Sequence, residues 1–386
     1  MLSGQPSLSL YVHFPWCVAK CPYCDFNSHA LKGELPEERY IDALLADLEL
    51  ELPRVWGRTV HSIFLGGGTP SLFPAAAMDR LLSEIRARLP LAPDAEITME
   101  ANPGTIEHDH FGGYRAAGIN RISLGIQSFN DRHLRTLGRI HGGDEARRAI
   151  DAVRSGGFDN FNLDLMWALP GQTLDEAVAD VELALAFAPT HLSHYHLTIE
   201  PHTVFAARPP VLPNEDIAWD MQDACGQILG DSGFHQYEVS AWAQPGARSR
   251  HNLNYWRFGD YIGIGAGAHG KITLPAEGRI LRTRRKSHPR PYLNALADQS
   301  FIAEEHAVPD SDLVFEYFLN RLRLDEAFDS QDFARLTGLD AQCAAEPLQK
   351  AVELGLLQNE GGTRYRVSDD GRRCLNDLQG LFLPEG

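Results

Sequence analysis

Between residues 8 and 199 six short apolar, β-prone runs alternate with five amphipathic helical stretches. The runs are 8–14, 60–65, 96–100, 121–126, 160–165 and 191–199; the helical patterns are 36–52, 75–89, 107–117, 143–155 and 174–187. A strand that returns to its sheet through a helix lies parallel to its predecessor and crosses over right-handed. That restricts the chain to a parallel barrel, a partial barrel or an open doubly wound sheet. No Gly-x-Gly-x-x-Gly follows the first run, which disfavours a dinucleotide fold. With 386 residues, 44% of them hydrophobic, the chain can bury one large core and carry a small second domain.

The second half is less regular. Residues 215–270 hold a helix and strand-like runs at 235–242 and 261–265, and the basic, proline-bearing stretch 283–291 reads as a linker. After it, 315–323, 330–336 and 344–354 read as helices, 355–367 as a hairpin and 370–382 as a last helix. Helices followed by a hairpin look like a winged-helix module. The expected division is 1–285 and 292–386.

In parallel barrels the working face lies at the C-terminal strand ends. Here the first run leads into Cys17, Cys21 and Cys24, a C-x3-C-x2-C cluster whose thiolates can converge on one metal centre. On a 4Fe–4S cluster three cysteines leave one iron open to a small molecule, and Phe26 stands where a fourth nearby cysteine would come. Zinc completed by His13 or His29 is the rival metal reading, and three unrelated thiols the bland one. The second run ends in Gly66, Gly67, Gly68, Thr69 and Pro70, the third at Glu100, the fourth at Gln127, and the fifth carries Asp164. One polar group at a strand end is ordinarily a cap. Five strand ends meeting on one face predict a ligand pocket. The glycines let backbone approach a ligand or form a tight turn. Glu100 suits an ammonium or hydroxyl, Gln127 both donates and accepts, and Asp164 suits a ribose diol or an amine.

The segments YVHFPWC, CPYCDF, GGGTPS, EANP, RISLGIQSFN, LGRIH and NLDLMWALPGQT resemble the radical S-adenosylmethionine (SAM) family. Within it they resemble the branch of oxygen-independent coproporphyrinogen III oxidase and the heme chaperones, densely from residue 8 to about 175. The resemblance implies an α/β fold: a partial parallel (β/α) barrel with a small C-terminal α+β, winged-helix-like domain. It implies a 4Fe–4S cluster on Cys17, Cys21 and Cys24, with SAM chelating the open iron through its amino and carboxylate groups. An electron from that cluster cleaves the SAM C–S bond to a 5′-deoxyadenosyl radical in this family. By the same resemblance Tyr11, Tyr23, Gly67, Gly68, Thr69, Glu100, Gln127, Arg139 and Asp164 contact SAM. Ala168 stands where the family has glycine, a departure that bears on local backbone freedom.

Two features separate the branches. The oxidase pattern resembles C-x3-C-x2-C-x-C, whereas this chain has Phe26 at the last position; the oxidase also carries a longer segment than the sixteen residues ahead of Cys17. His251-Asn252-Leu253-Asn254-Tyr255-Trp256 matches the HNxxYW signature of the chaperones. Alone, His251 reads as a hydrogen-bonded histidine at a turn. Imidazole is nevertheless a common heme ligand, and aromatic faces pack a porphyrin. The resemblance therefore implies heme held by His251, Asn252, Tyr255 and Trp256 and passed to recipient hemoproteins. It also implies an electron donor and peripheral contact with membrane hemoproteins. Oxidative decarboxylation of coproporphyrinogen III is the enzymatic alternative. A plain Fe–S electron carrier is a third, disfavoured because a carrier needs no ligand pocket.

Lys and Arg number 35 against 52 Asp and Glu, a net charge of −17 that argues against nucleic acid as a partner. The basic run from Arg279 to Lys286 reads as a solvated loop in preference to an anion or propionate contact. No apolar stretch reaches the roughly 18 residues of a membrane span. The start lacks the features of a secretory signal. Six cysteines do not make a disulfide framework, so a cytoplasmic, reducing setting is expected.

Overall fold

The computed structural model describes residues 2, 4–105 and 110–384. Six strands, β1 (Leu8–Phe14), β2 (Val60–Gly67), β3 (Leu91–Ala101), β4 (Arg121–Gln127), β5 (Phe161–Trp167) and β6 (His191–His196), lie side by side in chain order. Every neighbouring pair among them is parallel. Helices α1 (Glu37–Glu51), α2 (Ala75–Arg88), α3 (His110–Ala117), α4 (Gly143–Ser155) and α5 (Leu174–Ala186) make the crossovers. Residues 107–109 of the expected third helix lie outside the described residues. The strands are apolar on both faces because helices cover one side and the barrel interior the other; Leu10, Val12, Leu65, Met99, Leu124 and Leu163 are all inaccessible. Helix starts are set locally: Thr173 accepts from the Glu176 amide while the Glu176 carboxylate accepts from the Thr173 amide, a capping box that opens α5.

Both flanks of this core are extended. Beside β6, antiparallel strands β7 (His235–Glu238) and β8 (Ala241–Ala243) close one edge. Beside β1, β9 (Asp260–Ile264) pairs parallel, followed by antiparallel β10 (His269–Leu274), β11 (Arg279–Arg285) and β12 (Ile302–Ala307). The sheet order is β12-β11-β10-β9-β1-β2-β3-β4-β5-β6-β8-β7, so the barrel is partial, with its ends apart.

The basic run from Arg279 is not a loop, and 283–291 is no linker. Arg279–Arg285 is a strand inside the sheet, and the sheet continues to Ala307. Arg285 is fully buried; its Nε donates to Asp47 at 2.8 Å and its Nη2 to Glu51 at 2.7 Å. Arg282 pairs with Glu316 and Arg284 with Glu304. Arg279 pairs with its neighbour Glu277, but the carboxylates that neutralise Arg282, Arg284 and Arg285 come from distant segments, so local charge density misstated their environment.

Beyond the sheet, helices Asp310–Arg321, Ser330–Thr337 and Ala345–Glu353 precede strands Leu357–Gly361 and Arg364–Val367, which pair with Phe328–Asp329 as a three-stranded wing. Phe318, Phe333 and Phe382 centre a separate core there. This is the expected winged-helix-like module. Among the described residues no helix is long and apolar enough to cross a membrane.

Ala168 has φ 56°, in the left-handed region that glycine adopts freely. The strain falls on the loop after β5, where the family pattern has glycine. Ala168→Gly is expected to stabilise the chain by up to about 1 kcal/mol, read as a raised Tm.

Candidate cofactor site

The loop after β1 carries Cys17, Cys21 and Cys24, all free and half-buried. A hydrogen bond from the His13 ring anchors the loop, and a second, from Tyr11, orients the ring. Nε2–H donates to the Asn27 carbonyl at 2.9 Å, which leaves Nδ1 to accept from the Tyr11 hydroxyl at 2.8 Å. Asn27 in turn donates to the Ala266 and Ser287 carbonyls at 2.8 and 2.7 Å, tying the loop to the sheet extension. With both ring nitrogens engaged in hydrogen bonds, His13 has no free lone pair to offer a zinc ion. Among the described residues no three Cys, His, Asp or Glu side chains converge as on a single ion. A cubic cluster asks for something different, since each thiolate takes its own iron. The surroundings fit that demand: Arg139 donates to Cys21 Sγ at 3.8 Å, the Ser28 hydroxyl lies 3.7 Å from Cys24 Sγ, and Thr69 bonds the Cys17 thiol. Donors to sulfur are what tune and hold such thiolates.

The strand ends converge beside this loop. The Gly67 amide donates to Glu100 Oε2 at 2.9 Å. Burial, with Asp164 nearby, raises the Glu100 pKa to about 7. Asp164 is half-buried and accepts from Asn162 at 2.8 Å and Ser123 at 3.1 Å; burial raises its pKa. Arg139 donates from Nη2 to the Gly125 carbonyl at 2.7 Å, bonds Tyr23, and keeps a buried Nε without a partner. Gln127 has φ 68°, a strained conformation for a side-chain-bearing residue at the end of β4. The glycines serve the protein's own packing. A Cβ at Gly67 (φ 108°) would lie 2.4 Å from the His13 ring, and one at Gly68 2.6 Å from the Trp16 carbonyl. Glu100 is thus linked to Gly67 and lies near Asp164, and Arg139 reaches Cys21 of the cysteine loop.

The HNLNYW residues form helix α6, here Arg250–Trp256, whose start packs on Glu96 of β3 and whose His251 ring reaches Tyr11. Glu96 Oε1 accepts from the Arg250 and His251 amides at 3.0 and 3.3 Å. His251 is not at a turn: it is 8% exposed, stacked 4.3 Å from the Phe64 ring and 6.1 Å from Tyr11. Its Nδ1 is buried without a partner, and burial lowers its pKa to about 3. Tyr255 stacks on Tyr261 at 4.2 Å, and the Arg323 guanidinium sits 4.4 Å over Trp256.

Between mouth and floor the structure adds residues that motif reading missed. Asn162, His191, Ser193 and Tyr237 form a buried polar layer: Asn162 meets His191 at 2.7 Å and Ser193 at 3.1 Å, and His191 meets Tyr237 at 2.9 Å. The available signal was period-2 polarity, since Asn162 and Asp164 alternate, as do His191 and Ser193.

A partial (β/α) barrel with three free thiols after its first strand and polar groups at the next strand ends defines the radical SAM class. The family model described as the Radical SAM superfamily matches residues 11–184, and that of the HemN C-terminal domain residues 308–373. Heme chaperone HemW of Escherichia coli is 52% identical over 98% of this chain and 99% of its own. Heme chaperone HemW of Haemophilus influenzae is 49% identical over 98% and 99%. The structure of coproporphyrinogen III oxidase (HemN) from Escherichia coli superposes with a TM-score of 0.82 over 98% of this chain and 90% of its own, at 24% identity, a likeness of fold. The chain belongs to the HemW family.

Proposed function

We propose that this chain is a heme chaperone. It holds a 4Fe–4S cluster on Cys17, Cys21 and Cys24 and SAM at the strand-end mouth, binds heme through the HNLNYW helix, and passes heme to recipient hemoproteins. The observation that carries this is near-full-length similarity, at 52% identity, to a protein named as a heme chaperone. The presence of HNLNYW and of Phe26 in place of a fourth cysteine supports it. The cluster, when bound, supplies one electron at a time and an open iron. The protein's own groups do the rest. Glu100 and Asp164 offer carboxylate oxygens to an ammonium or hydroxyls, Arg139 offers a buried N–H to a carboxylate, and the donors around the thiols hold the loop. All six cysteines are free, with Cys343 and Cys374 exposed, which fits a reducing, cytoplasmic setting.

Incubating the reconstituted protein with heme in one arm and coproporphyrinogen III in the other tests the proposal. About one heme per chain and no protoporphyrinogen IX are expected. Sustained conversion of coproporphyrinogen III with SAM and a reductant would contradict it.

SAM binding should also depend on pH. Glu100 titrates near 7, above its ordinary value, so it is largely protonated at pH 6 and ionised at pH 8. The ionised form is the stronger acceptor for the N–H groups of an amine. SAM affinity, followed by calorimetry, is expected to rise several-fold from about pH 6 to about pH 8. Glu100→Gln should flatten that rise.

A further inference from the structure

Helix α6 is poorly satisfied for so short an element. Three of its buried side-chain atoms, His251 Nδ1, Asn254 Oδ1 and Trp256 Nε1, have no hydrogen-bond partner. Each unmet group penalises the docked position relative to one where water or a ligand reaches it. What holds the helix down is therefore of consequence. At its start Glu96 accepts its amides. Within it, Asn252 donates from Nδ2 to the Tyr237 hydroxyl at 3.2 Å.

That second bond ends a directed line through the barrel. Asn162 gives its amide N–H groups to Asp164 at 2.8 Å and to Ser123 at 2.7 Å, so its oxygen faces His191. His191 then carries its proton on Nδ1, donates to Asn162 at 2.7 Å, and accepts on Nε2 from the Tyr237 hydroxyl at 2.9 Å. Every link points the same way: Asn252 to Tyr237 to His191 to Asn162 to the Asp164 carboxylate. A carboxylate strengthens the bond donated to it and polarises those behind it.

We propose that α6 is a plug that undocks when a cationic ligand occupies Asp164 at the mouth, and that undocking presents His251 to heme. Asn162, His191 and Tyr237 are the positioning residues that carry the coupling. The proposal rests on the chaperone reading and deepens it. A sulfonium-bearing ligand such as SAM, set against Asp164, draws on the charge that polarises the line. The bonds weaken from that end, and Asn252 is the last of them. The ligand shifts the equilibrium because it interacts differently with the two states of the line. The device also reconciles a buried imidazole with a role in binding a large porphyrin.

Hydrogen exchange on the cluster-loaded full chain tests this, with and without SAM, following the peptide that spans 250–256. In the parent, SAM is expected to speed exchange there by about tenfold. Tyr237→Phe removes one hydroxyl from the middle of the line. It should keep SAM affinity within about twofold while the 250–256 peptide loses its response to SAM. His191→Leu should behave the same way. Heme titration in parallel should show SAM tightening heme binding by about tenfold in the parent and not in Tyr237→Phe. No exchange response in the parent, or an equal response in both variants, overturns the proposal. A parent that responds in exchange yet binds no heme upholds the plug and sinks the chaperone reading.

Discussion

Alanine at Cys17, Cys21 or Cys24 is expected to abolish the proposed iron–sulfur cluster. Anaerobic reconstitution of the parent is expected to give about four irons and four sulfides per chain, and each variant neither. The loss is total because three thiolates already leave one iron without protein ligation, and two do not hold a cubane. The other cysteines serve as controls, but not all by the same substitution. Cys343 and Cys374 are exposed, so serine is harmless there. Cys225 is inaccessible in the core beneath the sheet. A serine hydroxyl buried there without a partner costs about 1–3 kcal/mol, so Cys225→Ala is the suitable control. Zinc in place of iron, in protein purified without oxygen, would exclude the cluster.

The second large effect is on heme. Replacing the His251 imidazole is expected to abolish heme delivery and the Soret signature of the histidine-ligated complex. The ring packs against Phe64 and Tyr255, so alanine would open a cavity and cost roughly 2–4 kcal/mol, which confuses lost ligation with lost structure. His251→Phe keeps the stacking and removes the nitrogen. Because burial holds the imidazole pKa near 3, the ring is neutral throughout the physiological range. A His251→Phe chain that binds and delivers heme like the parent would make HNLNYW a structural motif.

These expectations show which parts of the molecule are legible in the chain alone. The six parallel strands follow from apolar runs bounded by turns, and their observed limits differ from the reading by few residues; only β3 starts markedly earlier, at Leu91, because 91–95 is mixed in polarity and carries Pro93. The cysteine loop and the polar strand ends are local motifs, so they too could be read directly. Arg285 could not. Its carboxylates lie on α1, more than 230 positions away, and a cation is read as exposed unless its partner is known. The polar layer of Asn162, His191 and Tyr237 was missed for the same reason, since no single segment contains it. His251 shows the converse: its identity was legible, but its place under the barrel depends on Glu96 and Phe64, which only the fold brings to it.

Delivery of heme is the central claim, and a transfer assay tests it most directly. The cluster- and SAM-loaded chain is charged with heme, mixed with an apo-hemoprotein, and the Soret bands of donor and acceptor are followed after the two are separated. The account predicts that heme leaves this chain and appears on the acceptor, and that removing the cluster through Cys21→Ala or the ligand through His251→Phe stops the transfer. Heme that never binds the parent chain, or that binds and reaches the acceptor no faster than free heme does, would contradict it.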